Sequence, residues 1–351
     1  MAGRRSFLAG MLAAGLATRA TWAEVGGPAF LSAARTQDGA YVLCGVTRDG
    51  DIAFQLNLPA RGHAAAAHPL RAEAVAFARR PGTYAIVLDC ASGAQRARLD
   101  APNGRHFYGH GTFSADGDLL FTSENDYEAA RGVIGIWDAR TGYRRLGEIQ
   151  SGGVGPHDIR LMPDGKSLVV ANGGIETHPE AGRTKLNLPT MRSNLSYLTL
   201  DGRMLNQVTL GDAHQRNSIR HLALGSGGTV AFAMQWQGDP GADIPLLGVH
   251  TPETGHLRLL PEASIRRLQG YLGSVAMTAD GETLVATSPR AGLAQVFKRG
   301  ALAAETPIND VCGVASTGSA IFLTSGQGLL QRMGGPARRH PLSWDNHLVA
   351  I

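Results

Sequence analysis

The sequence predicts an all-β protein: a seven-bladed β-propeller of four-stranded antiparallel blades, closed into a ring by the C-terminal strand. After residue 28, short runs rich in Val, Ile, Leu and Phe alternate with tight turns. The turns form seven pairs, and each unit spans about 35 to 60 residues. No convincing amphipathic helix or linker interrupts this pattern. A β-sandwich, the competing fold, does not predict such regular recurrence.

Asp-Gly and Gly-Gly pairs between apolar runs are strong hairpin signals. We expect the first turn of each unit to join the innermost strand to the second, and the second turn to join the third strand to the fourth. Both turns then lie at one end of the ring. The first turns are Asp38-Gly39, Pro81-Gly82, Asp116-Gly117, Asp164-Gly165, Gly227-Gly228, Asp280-Gly281 and the stretch around Gly318. The second turns are Asp49-Gly50, Ser92-Gly93, Thr141-Gly142, Asp201-Gly202, Thr254-Gly255, Arg299-Gly300 and Gly334-Gly335. The run from Asn346 to Ile351 is the predicted closing strand, and its removal should open the ring.

The N-terminus predicts export. Arg4-Arg5-Ser6-Phe7-Leu8-Ala9 resembles a twin-arginine signal, and the apolar stretch that follows is too short to span a membrane. Small residues between Thr18 and Ala23 suit a signal peptidase. We therefore expect a Tat signal over 1–23, a single propeller domain over 24–351, and a periplasmic location with no membrane span in the mature protein. An uncleaved N-terminal anchor is the alternative.

Charge and cysteine content exclude several classes. The formal charge of +4 includes Arg4, Arg5 and Arg19 of the predicted leader, so the mature chain is nearly neutral and has no electrostatic case for nucleic acid or anionic membrane. Three cysteines form no CxxC or CxxCH motif, which excludes covalent c-type haem and a zinc ribbon. Cys312 is most simply a packed thiol.

Histidines concentrate in segments that a propeller gathers at one end. Nine of the twelve histidines lie in such segments, and most of them precede or begin a short apolar run. They are His63, His68, His106, His110, His157, His178, His214, His221 and His347. The longest loops, over 124–132, 173–195 and 235–244, are expected on the same face. We expect His110, His157, His221 and His347 to point into the channel. Counted back from their Asp-Gly turns, His110 and His157 differ by one position, so in perfectly regular strands only one of them would face the channel.

These segments contain the residue types that bind transition metals or haem. Imidazole suits iron, copper and zinc, and nearby carboxylates can be ligands or orient imidazoles. The candidate metal ligands are His63, His106, His110, His157, His178, His221, His347, Glu124, Asp126 and Glu176. The candidate contacts to a cofactor are Arg105, Arg192, Arg220 and Trp236. The plainer alternative is that each histidine bonds to a neighbouring backbone and each acid is solvated.

No nucleophile elbow, HExxH, P-loop or dinucleotide fingerprint occurs, and His157-Asp158 is the only adjacent acid–base pair. Metal-assisted hydrolysis, lactone opening and oxidation all remain compatible with the residues present.

Several phrases together resemble one family. They are RGH at Arg61 to His63, GRHFYGHG at Gly104 to Gly111, ENDYE at Glu124 to Glu128, NGGIETHP at Asn172 to Pro179, SIRHLA at Ser218 to Ala223, DVCGVA at Asp310 to Ala315 and WDNHL at Trp344 to Leu348. The chain is similar to the uncharacterised family of Tat-exported bacterial propellers whose genes often accompany imelysin-like iron-uptake lipoproteins and a dihaem-peroxidase-like protein. Asp158 and Gln237 stand where glutamate is common in that family.

The resemblance implies a periplasmic protein of an iron-acquisition system, with imelysin-like proteins as partners. Three hypotheses follow. The first is a propeller that binds a metal ion or haem through the histidines and acids of one mouth. The second is a metal-dependent hydrolase, lactonase-like enzyme or oxidoreductase that uses the same site. The third is a scaffold that docks a protein partner.

Overall fold

Seven antiparallel sheets form a ring in the computed structural model, which describes residues 19–79, 82–182 and 184–351. The twin-arginine motif at Arg4-Arg5 lies outside the described residues. The predicted propeller of four-stranded blades is confirmed, and the chain runs through each blade from the channel outward.

The strands follow chain order. Blade 1 takes β1 (Phe30–Thr36), β2 (Tyr41–Val46) and β3 (Ile52–Leu58). Blade 2 is β4 (Gly62–Ala67), β5 (Glu73–Ala78), β6 (Tyr84–Asp89) and β7 (Gln95–Asp100), and blade 3 is β8 (Arg105–Phe113), β9 (Leu119–Asp126), β10 (Arg131–Asp138) and β11 (Arg144–Gln150). Blade 4 is β12 (Pro156–Leu161), β13 (Ser167–Asn172), β14 (Asn194–Thr199) and β15 (Met204–Thr209), and blade 5 is β16 (Asn217–Leu224), β17 (Val230–Trp236), β18 (Leu247–Thr251) and β19 (His256–Leu259). Blade 6 is β20 (Ser274–Met277), β21 (Thr283–Ser288), β22 (Leu293–Lys298) and β23 (Ala301–Pro307). Blade 7 is β24 (Val311–Thr317), β25 (Ala320–Ser325), β26 (Leu329–Arg332) and β27 (Ala337–Arg339), and β28 (Leu342–Trp344) and β29 (Val349–Ala350) end the chain.

Helical segments are few among the described residues. One short helix, α1 (Ile265–Leu268), and three 3-10 turns, Ala23–Val25, Pro179–Ala181 and Asp212–His214, lie between strands. None of the helices in these parts of the chain has the length and apolar character needed to cross a membrane.

The C-terminal segment closes the ring, as predicted. Both β28 and β29 pair antiparallel with β1, with Trp344 opposite Ala34 and Val349 opposite Leu31, so together they form the innermost strand of blade 1. The strand is not continuous, because pairing stops between Asp345 and Leu348. Within this break the Ser32 hydroxyl donates a 2.8 Å hydrogen bond to the carbonyl of His347. The closing strand therefore carries an irregular segment that faces the channel.

Twelve of the fourteen predicted turns are correctly placed, and the first turns of blades 1 and 2 are not. Asp38-Gly39 joins the second strand of blade 1 to the third, because the C-terminus supplies the innermost strand. In blade 2 the innermost strand turns at His68–Ala72, and Gly82 lies between the second and third strands. The expectation that all fourteen turns share one end is therefore wrong for these two.

The core consists of layers between neighbouring blades. Each of seven hydrophobic clusters among the described residues combines side chains of two adjacent blades. Phe77 and Phe107, for example, pack between blades 2 and 3, and Phe232 packs between blades 4 and 5. Apolar burial drives this packing. It fixes the angle at which each innermost strand meets the channel.

Part of the predicted leader packs against blade 2. The Arg19 guanidinium lies 2.8 Å from the buried Glu73 carboxylate, and the amide of Ala72 donates to the carbonyl of Ala20. Trp22 donates its indole N–H to the carbonyl of His68 at 2.8 Å. These contacts lie at the end of the ring where His68–Ala72 turns.

Candidate functional site

Bulges in the innermost strands direct the site residues into the channel. Pairing shifts between Gly62 and Ala65 in β4, between Phe107 and Gly111 in β8, and between Pro156 and Asp158 in β12. The same happens between Ile219 and His221 in β16, between Val311 and Val314 in β24, and in the break of the closing strand. A bulge adds an unpaired residue and re-aims its side chain. The propeller therefore carries a belt of irregular backbone around its channel.

Five histidines from this belt converge. The ring centroid of His63 lies 5.1 Å from that of His110 and 4.6 Å from that of His347. His157 lies 5.0 Å from His110 and 4.8 Å from His221, and His221 lies 4.9 Å from His347. We call these five residues the channel cluster. All four histidines predicted to face the channel belong to it, including both His110 and His157, because the strands that carry these two are not regular here.

Each histidine of the channel cluster has a buried ring nitrogen with no hydrogen-bond partner. These atoms are Nδ1 of His63, His157 and His221, and Nε2 of His110 and His347. Burial lowers the pKa of His63, His157 and His347 well below the ordinary value, and nearby cationic groups lower it further. Burial together with His110 lowers the pKa of His221 to about 3. These four rings are therefore neutral near pH 7, and neutral imidazole is the form that binds metals.

Asp158 fixes the orientation of His110. Its carboxylate is buried and lies 3.2 Å from Nδ1 of His110. It also accepts the amide N–H groups of Ile159 at 2.9 Å and Leu222 at 3.0 Å. Burial alone would raise the pKa of Asp158, but the positive charge of Arg160 and the bond to His110 hold it below its usual range. His110 therefore donates from Nδ1 and directs the lone pair of Nε2 into the cluster.

A cavity of about 510 Å³ opens above the channel cluster at the mouth, the end where the innermost strands begin. His63 and His157 line its floor, Arg79 and Arg220 line its sides, and Tyr108 contributes to its wall. On the opposite side of the cluster, the described residues enclose a void of about 20 Å³, with walls from all seven innermost strands. The channel cluster is thus approached from the mouth.

Two more predicted ligands line this cavity without joining the cluster. His106 stacks on Tyr127 with ring centroids 6.0 Å apart, and its Nε2 lies 3.2 Å from the Asn125 amide. His178 accepts the amide N–H of Glu180 and meets Tyr127 edge-on at 5.0 Å. Both rings form an aromatic wall rather than part of the five-ring cluster.

The sequence analysis placed Glu124 and Asp126 in a long loop, and this is wrong. Both lie in strand β9, and the turn between β9 and β10 spans only 127–130. Glu124 is fully buried and pairs with both terminal nitrogens of Arg145, at 2.7 and 3.0 Å. Asp126 accepts from Arg131 at 2.8 Å and lies 3.6 Å from Arg105. Strand pairing and these arginines hold both carboxylates away from the channel cluster.

Of the arginines predicted to contact a cofactor, Arg220 lines the mouth cavity. Arg105 instead pairs with Glu148, and the exposed Arg192 pairs with Asp212 at 2.7 Å. The remaining two candidates also lie outside the cavity lining. Trp236 donates to the carbonyl of Asp239, and Glu176 donates its amide N–H to Asn187.

Histidine 68 lies at the end opposite the mouth. Its Nε2 is 3.1 Å from the carbonyl of Gly117, and its Nδ1 accepts the amide N–H groups of Leu70 and Arg71. Its placement with the mouth histidines is therefore wrong, and it shapes a turn instead. His214 lies in the 3-10 turn between blades 4 and 5, outside the channel cluster.

The sequence reasoning missed Arg79, Tyr108 and Tyr127 as cavity residues. Arg79 follows the second strand of blade 2, so assigning Pro81-Gly82 to the wrong end concealed its place at the mouth. Tyr108 and Tyr127 lie within the phrases GRHFYGHG and ENDYE, whose histidines and acids were the predicted ligands. Cys312 packs in the bulge of β24, and burial raises its pKa to about 12, so it is a protonated thiol.

The channel cluster fits a transition metal. Three nitrogens bound to one ion at about 2.1 Å in a tetrahedral arrangement lie about 3.4 Å from one another. The ligand atoms of His63, His110 and His347, and those of His110, His157 and His221, lie within 4.8 Å of one another. Inward shifts of at most roughly 0.8 Å at each nitrogen bring either group to bonding distance. Because both groups include His110, they are alternative positions for one ion.

Comparisons with known proteins identify the fold and a family without a known activity. A family model described as "Protein of unknown function (DUF1513)" matches residues 56–351. A solved chain titled Kuenenia stuttgartiensis Hydrazine Synthase is similar, with a TM-score of 0.62 and 14% sequence identity, covering 86% of this chain and 89% of that chain. At that identity the likeness shows the fold alone. No curated protein matches the sequence.

Proposed function

The chain belongs to the DUF1513 family, and from its structure we propose that it binds one transition-metal ion through His110 and further histidines of the channel cluster. The observation that carries the proposal is that five imidazole rings from different blades converge, each with a buried nitrogen that has no partner. Such nitrogens are costly to bury unless something binds them.

The bonding pattern disfavours a purely structural role for these histidines. A scaffold would satisfy its mouth histidines with backbone hydrogen bonds, as His68 does at the opposite end. The carboxylate of Asp158 behind His110 is instead the arrangement that orients metal-binding histidines. Imidazole-rich sites suit iron, copper and zinc.

Iron is the ion we propose, because the sequence phrases resemble a family encoded beside iron-uptake proteins. The same resemblance and the twin-arginine motif place the protein, in this proposal, in the periplasm with imelysin-like partners. Haem is an alternative iron source in this proposal, because the two arginines at the mouth suit its propionate groups.

A metal-dependent enzyme is the second candidate, and the mouth cavity favours it. Catalytic metal sites keep a coordination position open to substrate, whereas structural sites are closed. The channel cluster is approached through a cavity of about 510 Å³. Metal-dependent hydrolysis of a lactone or ester, lost in His110→Ala, would support this function.

Metal content tests the proposal directly. The protein is purified anaerobically without chelators, its iron, copper, zinc and haem are measured, and each metal-free sample is titrated with Fe²⁺, Cu²⁺ and Zn²⁺. We expect one ion per chain, at least tenfold weaker binding in His110→Ala and His221→Ala, and no change in the exposed control His256→Ala. A protein that contains no metal and takes up none contradicts the proposal.

A further inference from the structure

The mouth cavity has the charge of an anion site. Arg79 and Arg220 line it from blades 2 and 5, and no Asp or Glu is among the residues that line it in the described parts of the chain. Arg79 also pairs with Asp345 at 3.3 Å, which holds its guanidinium in place. Nearby, burial and the charges of Arg220 and Arg290 lower the pKa of Lys185, so Lys185 and Arg290 are two further basic side chains close to Arg220.

The cavity also has the walls of an organic site. Tyr108 and Tyr127 line it together with the rings of His106 and His178. Its volume of about 510 Å³ is far larger than an inorganic anion needs and lies in the range of pockets that hold organic ligands. Aromatic walls bury carbon, and guanidinium groups pair with carboxylates in a bidentate manner.

The floor of the cavity is the channel cluster itself. His63 and His157 belong both to the cluster and to the cavity lining. On the other side of the cluster the described strands enclose a void of about 20 Å³. The mouth cavity is therefore the wide approach for an exchangeable ligand of an ion in the cluster.

From these three features we infer that the mouth cavity binds an organic carboxylate, which Arg79 and Arg220 hold and which supplies an oxygen ligand to the metal ion. The inference rests on the proposed metal site and adds its second component. It makes the bound species a ternary complex of protein, metal and carboxylate. Binding of this kind differs from that of a protein that holds a metal ion with no second ligand.

The test uses Co²⁺ as a spectroscopic probe, with succinate and benzoate as aliphatic and aromatic carboxylates. Each carboxylate is titrated into metal-free and Co²⁺-loaded protein, with calorimetry for affinity and visible absorption for cobalt coordination. We expect at least one of them to bind more tightly when Co²⁺ is present and to change the cobalt spectrum. Arg79→Gln and Arg220→Gln should each weaken this binding at least tenfold, whereas Arg192→Gln, which alters an exposed arginine paired with Asp212, should not.

The outcomes separate this inference from the proposed function. If Co²⁺ binds but neither carboxylate binds in a way that depends on Arg220, the inference is overturned and the metal site stands. If a carboxylate binds through Arg220 and the cobalt spectrum does not change, the contact between carboxylate and metal is overturned. If Co²⁺ does not bind at all, the proposed function fails and the ternary complex fails with it. Thermal melting of each arginine variant shows whether its fold is intact.

Discussion

At the scale of single residues, His110 is the centre of the site. It belongs to both groups of histidines whose nitrogens approach bonding distance. The buried carboxylate of Asp158 lies 3.2 Å from Nδ1 of His110 and so orients the ring. Asp158 is itself fixed by two backbone N–H groups, so the chain orients one imidazole through a rigid acceptor.

Asp158→Asn should weaken metal binding by 10- to 100-fold, on the order found when the partners behind metal ligands are removed. Asparagine keeps an acceptor for the backbone N–H groups but loses the charge that fixes the His110 tautomer. Equilibrium dialysis gives the affinity, and the Co²⁺ spectrum shows whether the coordination changes. Asp138→Asn, an acid at a turn far from the channel, is the matched control. Unchanged affinity in Asp158→Asn would mean that Asp158 does not position His110.

Glu124 provides a contrasting case, in which a predicted ligand stabilises the fold. Its burial raises its pKa, and Arg145 opposes that shift. Arg145→Met should destabilise the protein by about 3 to 5 kcal/mol, because a buried carboxylate loses its partner. A raised pKa means that the folded state holds the proton more tightly. The loss of stability in Arg145→Met should therefore shrink as the pH falls through the pKa of Glu124. Urea unfolding at several pH values measures both effects. The double variant with Glu124→Leu should recover most of the loss, and a deficit in that variant as large as in Arg145→Met would contradict the assignment.

At the scale of elements, the bulged innermost strands make the site possible. A regular strand turns alternate side chains away from the channel. The bulge of β12 leaves one residue unpaired, whereas that of β8 leaves more, and this difference brings both His157 and His110 inward. Gly109 allows β8 to approach His63 closely. Its φ is 97°, and a Cβ at this position would clash with the His63 ring, at 2.4 Å from Cδ2.

Gly109→Ala should therefore displace His63 and weaken metal binding at least tenfold. Gly142 is a matched control, because its φ is also positive, at 82°, but a Cβ there would meet no other atom within 4 Å. Both alanines impose a similar backbone strain of about 1 kcal/mol, but only one blocks a histidine. Metal titration of the two folded variants separates the effects, and equal losses in both would show that strain alone is responsible.

The same bulges explain what the sequence predicted and what it did not. Alternating apolar runs and Asp-Gly turns depend on local chemistry, so they identified the blades and the closing strand. Bulges depend on pairing between strands, so the directions of His110 and His157 were not readable from residue counts. Blade 1 takes its innermost strand from the other end of the chain, which displaced its first turn. In blade 2 the first turn at His68–Ala72 contains no glycine, so Pro81-Gly82 was assigned in its place and Arg79 was concealed. Glu124 lies in a strand because the turn after it is short.

At the scale of the whole molecule, the site and the closure of the ring depend on each other. The channel cluster takes four histidines from blades 2 to 5 and the fifth, His347, from the break in the closing strand. Gly313 of blade 7 lets that break approach, since a Cβ there would lie 2.8 Å from the amide nitrogen of Leu348. An ion bound to His347 would hold in place the break in the closing strand, which is its least regular part.

Metal should therefore slow hydrogen exchange in the closing strand. We expect peptides covering 342–351 to gain protection when Zn²⁺ is added, because a ligand that binds only the closed ring suppresses its opening. Peptides of the outer strand β15 should change little. Exchange monitored by mass spectrometry measures both, and His347→Ala should abolish the gain in 342–351. Equal protection throughout the ring would contradict a local effect.

His63 and His347 are 284 positions apart in the sequence, but their rings lie 4.6 Å from each other. An ion bound to both would cross-link these distant segments and reduce the entropy of the unfolded chain. The three cysteines are all free, so no disulfide does this. In this protein a metal would act as the reversible equivalent of a disulfide, one that chelation rather than reduction removes.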